Sequence, residues 1–166
     1  MEELIFLASN LGNRYTIYMI VVLDNLRSAL NVGSIIRTCD ALGVKKVYFC
    51  GLTPSPDNLK VKKTSLGAEK NIEAIISINA YETVLKLKQS KALIVALEIT
   101  DKAIPVTFAE NKNFVLVLGN EVSGVSKDIL EIADKVVFIP MWGIKESLNV
   151  GQSSAIFMRA CNQIYS

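Results

Sequence analysis

The residues best suited to chemistry stand in three short segments: Asn31-x-Gly33-x-x-x-Arg37, Gly119-Asn120-Glu121 and Ser147-Leu148-Asn149-Val150. Each lies at the carboxyl end of a run with strand character, and open α/β sheets bind ligands in clefts at those ends. Together they offer a guanidinium, a carboxylate, a hydroxyl and several side-chain amides. Histidine is absent from all 166 residues. That excludes His-based acid–base catalysis and Ser-His-Asp triads, and it removes the commonest metal ligand. Chemistry here must use Arg, Lys, Asp, Glu, Ser, Tyr or a cofactor, and no metal is expected.

Taken singly, each segment has two readings. Asn31 stands just before the apolar stripe of a helix, in the place of an N-cap. Arg37 falls about 170° from the centre of that stripe at 100° per residue, so by position alone it is a solvated helix arginine. Gly119 after a strand lets a ligand approach the backbone, with Glu121 facing the cleft, or else the loop is a turn with a polar rim. The connection Pro140 to Glu146 carries the single Trp of the chain. It reads as a pocket wall or as a loop packed on the surface. Ser147 reads as the N-cap of the last helix or, with the free N–H groups of its first turn, as a holder of polar ligand atoms. No GxGxxG and no GxxxxGK[ST] occurs, so the usual dinucleotide and NTP readings lack support.

The elements that position these segments follow from hydrophobic periodicity. Ile17–Leu23, Lys46–Cys50, Ala74–Ile78, Ala92–Leu97, Phe114–Leu118 and Val136–Ile139 are short, β-branched runs that predict strands. Several are apolar throughout, as in parallel strands covered on both faces. Helical patterns lie at Val32–Leu42, Tyr81–Gln89, Ser126–Ala133 and Leu148–Ile164. The alternation predicts one α/β domain over residues 1–166 with a mostly parallel sheet flanked by helices. Residues 1–14 read as a short N-terminal extension, too short for a separate domain. Apolar residues cover more than half the circumference of the last helix, from Val150 through Ile156, Phe157 and Met158 to Ile164. Such a helix is either buried in its own domain or packed against a second subunit, and a homodimer is expected.

At 51% hydrophobic the chain can bury a sizeable core. Its start is short and mixed, with Glu2 and Glu3, unlike a signal peptide. No run is long enough to span a bilayer, so a soluble, cytoplasmic protein is expected. The cysteines Cys39, Cys50 and Cys161 are odd in number without a Cys-x-x-Cys pair. They read as reduced thiols, with Cys39 and Cys161 packed on apolar helix faces. Net charge is only +2, but residues 1–70 hold nine Lys/Arg against six Asp/Glu. That bias can serve phosphate contacts or be ordinary solvated surface.

The three segments resemble the signature motifs of the SpoU (TrmH-type) RNA ribose 2′-O-methyltransferases of the SPOUT superfamily. The matching stretches are Asn31 to Arg37; Phe114 to Ser126 with Gly119, Asn120, Glu121 and Gly124; and Val137 to Ala155 with Ile139-Pro140-Met141 and Ser147 to Val150. Lys63-Thr64-Ser65-Leu66-Gly67-Ala68 is similar to another recurrent family segment. Val122-Ser123 after Glu121 and Gly151-Gln152 after Val150 depart from the usual pattern.

The resemblance implies a deep C-terminal trefoil knot, a homodimer, S-adenosyl-L-methionine as cofactor and transfer RNA or ribosomal RNA as substrate. It implies that Leu97, Gly119, Ile139 and Leu148 hold the cofactor by backbone groups, with Asn120, Glu121, Pro140 and Met141 in the same pocket. It implies that Arg37 acts on the ribose 2′-hydroxyl, that Asn31 positions Arg37 or the ribose, and that Ser147 and Asn149 line the reaction centre. An ordinary arginine is a poor base, so Arg37 needs a phosphate partner or else stabilises the developing alkoxide. The alternative within the resemblance is an RNA-binding protein that keeps the fold without catalysis.

Overall fold

The apolar runs pair side by side into one parallel sheet. In a computed structural model, which describes residues 18–106 and 113–162, the strands are β1 (Met19–Asp24), β2 (Lys46–Cys50), β3 (Glu73–Ser77), β4 (Leu93–Leu97), β5 (Ile104–Pro105), β6 (Phe114–Leu118) and β7 (Lys135–Phe138). Their order in the sheet is β3-β2-β1-β6-β4-β7-β5, and every pairing is parallel. β1 and β6 are buried at every residue. The apolar run Met19–Leu23 of β1 and the wholly apolar β6 are the consequence of having helices on both faces.

The helices are α1 (Ala29–Ala41), α2 (Leu59–Ser65), α3 (Ala80–Gln89), α4 (Lys127–Ile132) and α5 (Val150–Asn162), with a 3₁₀ turn at Ala68–Lys70. One core joins Val21, Leu23, Phe49 and Leu116 of the sheet to Val32, Ile35, Ile36 and Cys39 of α1, Val61 of α2, and Phe157 and Met158 of α5. The other joins Ile20, Val22, Ile94 and Val117 to Val84 and Leu87 of α3 and Ile129 of α4. The alternation of side chains along each strand thus feeds two separate cores, giving a three-layer α/β/α fold.

The predicted strands agree with the observed ones to within two residues. Two helix starts differ. α1 begins at Ala29, capped by Ser28, whose hydroxyl accepts from the Asn31 N–H at 3.3 Å. Asn31 therefore lies inside the first turn, not at the cap. α5 begins at Val150, capped by Asn149, whose Oδ1 accepts from the Gly151 N–H at 2.9 Å. Ser147 is thus a loop residue, not the cap. In both cases a polar side chain one turn earlier or later satisfied the same free N–H groups. Helix α2, the 3₁₀ turn and the short edge strand β5 were not expected from the sequence.

On α5, Phe157 is buried and meets Phe114 edge-on at 6.0 Å between ring centres. Ile156 is 46% exposed. Only part of the apolar surface of α5 therefore remains for a partner. Ile17 and Ile164, placed in the first strand and last helix by their pattern, and the N-terminal start lie outside the described residues. No helix among the described residues is long and apolar enough to cross a membrane.

Candidate active site

β1 and β4 flank β6, so the loops leaving β4, β6 and β7 converge at one end of the sheet. They enclose a cleft of ≈ 600 Å³, lined by Leu97 to Ile99 after β4, by Gly119 to Val122 and Gly124 after β6, and by Phe138, Ile139 and Met141 after β7. Glu146 to Val150 and Ser153 close it. A cleft of this size suits a small molecule.

The loop after β6 is folded tightly by its own sequence. Asn120 is buried, and its Oδ1 accepts from the N–H groups of Val122 at 2.9 Å and Ser123 at 3.1 Å. Its Nδ2 donates to the Asn25 carbonyl at 2.6 Å, tying the loop to the end of β1. Asn120 and Gly124 exchange two backbone bonds, at 3.0 and 2.9 Å. Only glycine fits at 119: a Cβ there would lie 2.1 Å from the Val125 nitrogen and 2.2 Å from the Gly124 carbonyl carbon. Gly124 adopts φ +71°, a left-handed conformation open to glycine at little cost.

Glu121 is a clamp. Its Oε2 accepts from the Arg27 N–H at 2.9 Å. Its Oε1 accepts from the Ser28 N–H at 3.0 Å and from Asn31 Nδ2 at 2.9 Å. A carboxylate at the positive end of α1 is favourable. Partial burial opposes its ionisation, but the bonds from Arg27, Asn31 and Ser28 outweigh that and hold the carboxyl below its ordinary value. Asn31 in turn accepts from Asn149 Nδ2 at 3.0 Å. A continuous relay, Glu121 to Asn31 to Asn149 to the cap of α5, therefore fastens the three segments to one another.

Gly33 lets α2 approach α1: a Cβ there would lie 2.0 Å from Thr64 Oγ1 and 2.4 Å from the Val61 carbonyl. Thr64 then donates to the Leu30 carbonyl at 3.1 Å. The stretch Lys63 to Ala68 thus supplies the end of α2 and the following turn, with Leu66 left-handed at φ +51°.

Leu97, Gly119, Asn120, Glu121, Ile139, Met141, Ser147, Leu148 and Asn149 all line the cleft. Pro140 does not, although both its neighbours do. Asn31 meets the site through Glu121 and Asn149, and neither amide bond goes to Arg37. Arg37 is exposed on α1, outside the cleft lining, and makes no ion pair among the described residues.

Two carboxylates escaped the sequence reading. Glu98 lines the cleft and accepts from the Val125 N–H at 2.8 Å and the Ile99 N–H at 2.9 Å. Asp24, 1% exposed, accepts from the Ser126 N–H at 2.8 Å and from its hydroxyl, which fixes the start of α4. An acid ending the apolar run Met19 to Leu23 is the signal that marks Asp24. Glu98, Glu121 and Glu146 give the cleft a negative lining that contains no lysine or arginine among the described residues. All three cysteines are buried and free. Burial pushes the Cys39 thiol up to about 12 and the Cys50 and Cys161 thiols up to about 11.

Residues 18–159 match the sequence profile of the SpoU rRNA Methylase family. The chain is 36% identical over 143 residues to a tRNA (guanosine(18)-2′-O)-methyltransferase of Aquifex aeolicus. That match covers 84% of this chain and 66% of the relative, just under two thirds of its length. Among solved structures, the TrmH/SpoU tRNA modifying enzyme of A. aeolicus superposes with a TM-score of 0.79 at 31% identity. The superposition covers 90% of this chain and 76% of that one. An AdoMet-bound rRNA methyltransferase from Sinorhizobium meliloti shares the fold, with a TM-score of 0.80 at 24% identity over 89% of this chain and 56% of that one.

Proposed function

This chain belongs to the SpoU rRNA methylase family, and on that premise we propose that it transfers a methyl group from S-adenosyl-L-methionine to a ribose 2′-hydroxyl of transfer or ribosomal RNA. The observation that carries this reading is the cleft itself, which three fastened loops build at the carboxyl ends of β4, β6 and β7. Its electrostatics favour that cofactor over phosphorylated ones. S-adenosylmethionine bears a sulfonium and an ammonium against one carboxylate, a net positive charge. Glu98, Glu121 and Glu146 line the cleft without a balancing cation. A nucleotide phosphate would meet repulsion there.

The residues present fit the group. Leu97, Phe138, Ile139, Met141 and Leu148 offer apolar walls for a flat ring. Gly119 brings backbone to the cleft surface without a side chain. The cofactor supplies a methyl already activated by its sulfonium, so no metal is required of the chain. Asn120 shapes the loop, and Glu121 holds α1 against it rather than contacting the reacting atoms. Asn149 and Ser147 sit at the cleft wall nearest the start of α5, where they orient the ribose. Arg37, exposed and outside any ion pair among the described residues, donates to the 2′-oxygen and offsets the negative charge that develops there as the hydroxyl proton passes to solvent.

In this reading residues 18–159 act as one catalytic domain, and the return of the chain from β7 through 139–149 to α5 runs through a trefoil knot. α5 packs with α1 and Val137 of β7 in one core, the place such a path would give it. A homodimer joins copies through exposed Ile156 of α5, aided by Trp142 and Ile144, which are 93% and 99% exposed. The protein works where its RNA is, in the cytoplasm. The test is incubation with labelled S-adenosylmethionine and unmodified RNA. Label recovered in RNA is the expected result. Neither transfer nor cofactor binding would favour a silent RNA-binding protein instead.

A further inference from the structure

The cleft is acidic, yet the surface beside it is not. Between residues 25 and 70 the chain holds eight Lys/Arg against three Asp/Glu. Five of these cations, Arg37, Lys60, Lys62, Lys63 and Lys70, lie on α1, α2 and the turn after α2, all on one side of the sheet. Lys60, Lys63 and Lys70 are exposed there and make no ion pair among the described residues, while Lys62 is paired with Asp57 at 3.1 Å. Helix stability does not account for all of them. Lys63, in the last turn of α2, suits the negative helix end, but Lys60 sits two residues after the Asn58 cap, at the positive end where a cation is unfavourable.

α2 lies against α1 at Gly33. Arg37, one turn further along α1, shares the strip that α2 packs on. The positive shelf therefore leads to the residue proposed to touch the ribose. We propose that Lys60, Lys63 and Lys70 form a phosphate-binding shelf along which the RNA backbone lies as its target ribose enters the cleft. The acidic cleft repels phosphate and the shelf attracts it, so the field orients the strand with ribose inward. This proposal rests on the reading of the protein as an RNA methyltransferase.

The test compares two triple variants of equal charge change. One is Lys60→Gln with Lys63→Gln and Lys70→Gln. The other is Lys86→Gln with Lys91→Gln and Lys127→Gln, exposed positions of α3, the loop after it and α4 on the opposite side. Binding of unmodified tRNA and rRNA transcripts is measured by anisotropy across salt concentration, and S-adenosylmethionine binding by calorimetry. The shelf variant should lose about tenfold or more in RNA affinity, and its slope of log affinity against log salt should fall by ~2, at ~0.7 per phosphate contact on single strands. Cofactor binding should be unchanged, and the opposite-face variant should keep the wild-type slope. Equal losses in both variants, or none in the shelf variant while the wild type binds RNA, would overturn the shelf alone. Wild type that binds S-adenosylmethionine but neither transcript pool would overturn the shelf together with the RNA reading.

Discussion

The relay from Glu121 through Asn31 to Asn149 makes a quantitative claim: the two asparagines are energetically coupled. Asn31→Ala removes the 2.9 Å bond to Glu121 and the 3.0 Å bond to Asn149. At about 1 kcal/mol net for each bond, the loss is about 2 kcal/mol. Asn149→Ala removes the same bond to Asn31 and the 2.9 Å cap bond to Gly151. A lost cap costs about 1 kcal/mol, again giving about 2 in all. The shared bond is lost only once in the double variant, which should therefore fall about 3 kcal/mol below wild type rather than about 4. Because the pair is solvent-exposed and screened, the coupling is expected at about 0.5–1 kcal/mol. Urea unfolding followed by circular dichroism measures it, with Asn79→Ala as the control partner. Asn79 caps α3 on the other side of the sheet by accepting from the Glu82 N–H, so its loss should add to that of Asn31. Asn31 and Asn149 losses that add to within about 0.3 kcal/mol would refute the relay.

Three further outcomes follow from the same geometry. Gly119→Ala forces backbone apart at Val125 and Gly124; the strain, about 1–3 kcal/mol, should appear in calorimetry as cofactor affinity reduced about tenfold or more, and unchanged affinity would contradict the loop's role. The Glu121 carboxyl is held below its ordinary value, so its contribution to stability is present above about pH 4.5 and lost as pH falls through the folded-state value. The deficit of Glu121→Gln in denaturant unfolding should therefore be present at pH 7 and shrink in acid, whereas a pH-independent deficit would mean that the charge is not what holds α1. Arg37→Ala should abolish methyl transfer with cofactor affinity kept, and loss of cofactor binding would place Arg37 in the cleft instead.

Much of the fold was legible because burial on both faces leaves its mark on composition. Phe114–Leu118 and Lys46–Cys50 were readable to the residue, since a parallel strand covered on both faces is apolar almost throughout. Helix α2 was not legible: Leu59 and Leu66 are exposed, and the helix is held by its close approach to Gly33, a long-range fact that no local period encodes. β5 is two residues long and contains Pro105, which only an edge tolerates.

The cleft residues were readable as motifs, but the bonds that join them were not. Asn31, expected to position Arg37 or the ribose, bridges Glu121 and Asn149, because partners 90 and 118 residues away in sequence decide where its amide points. Asp24 and Glu98 went unread because a single acid at a strand end becomes informative only when the N–H groups it accepts from come into view.

The most direct measurement is the position of the transferred methyl. RNA labelled from S-adenosylmethionine by this protein is digested with alkali, which cleaves a phosphodiester only where a free 2′-hydroxyl can attack it. Label in alkali-resistant dinucleotides is the expected result, since a methyl on the 2′-oxygen blocks that attack. Label released in mononucleotides, with the methyl on a base, would contradict a site built to act on ribose.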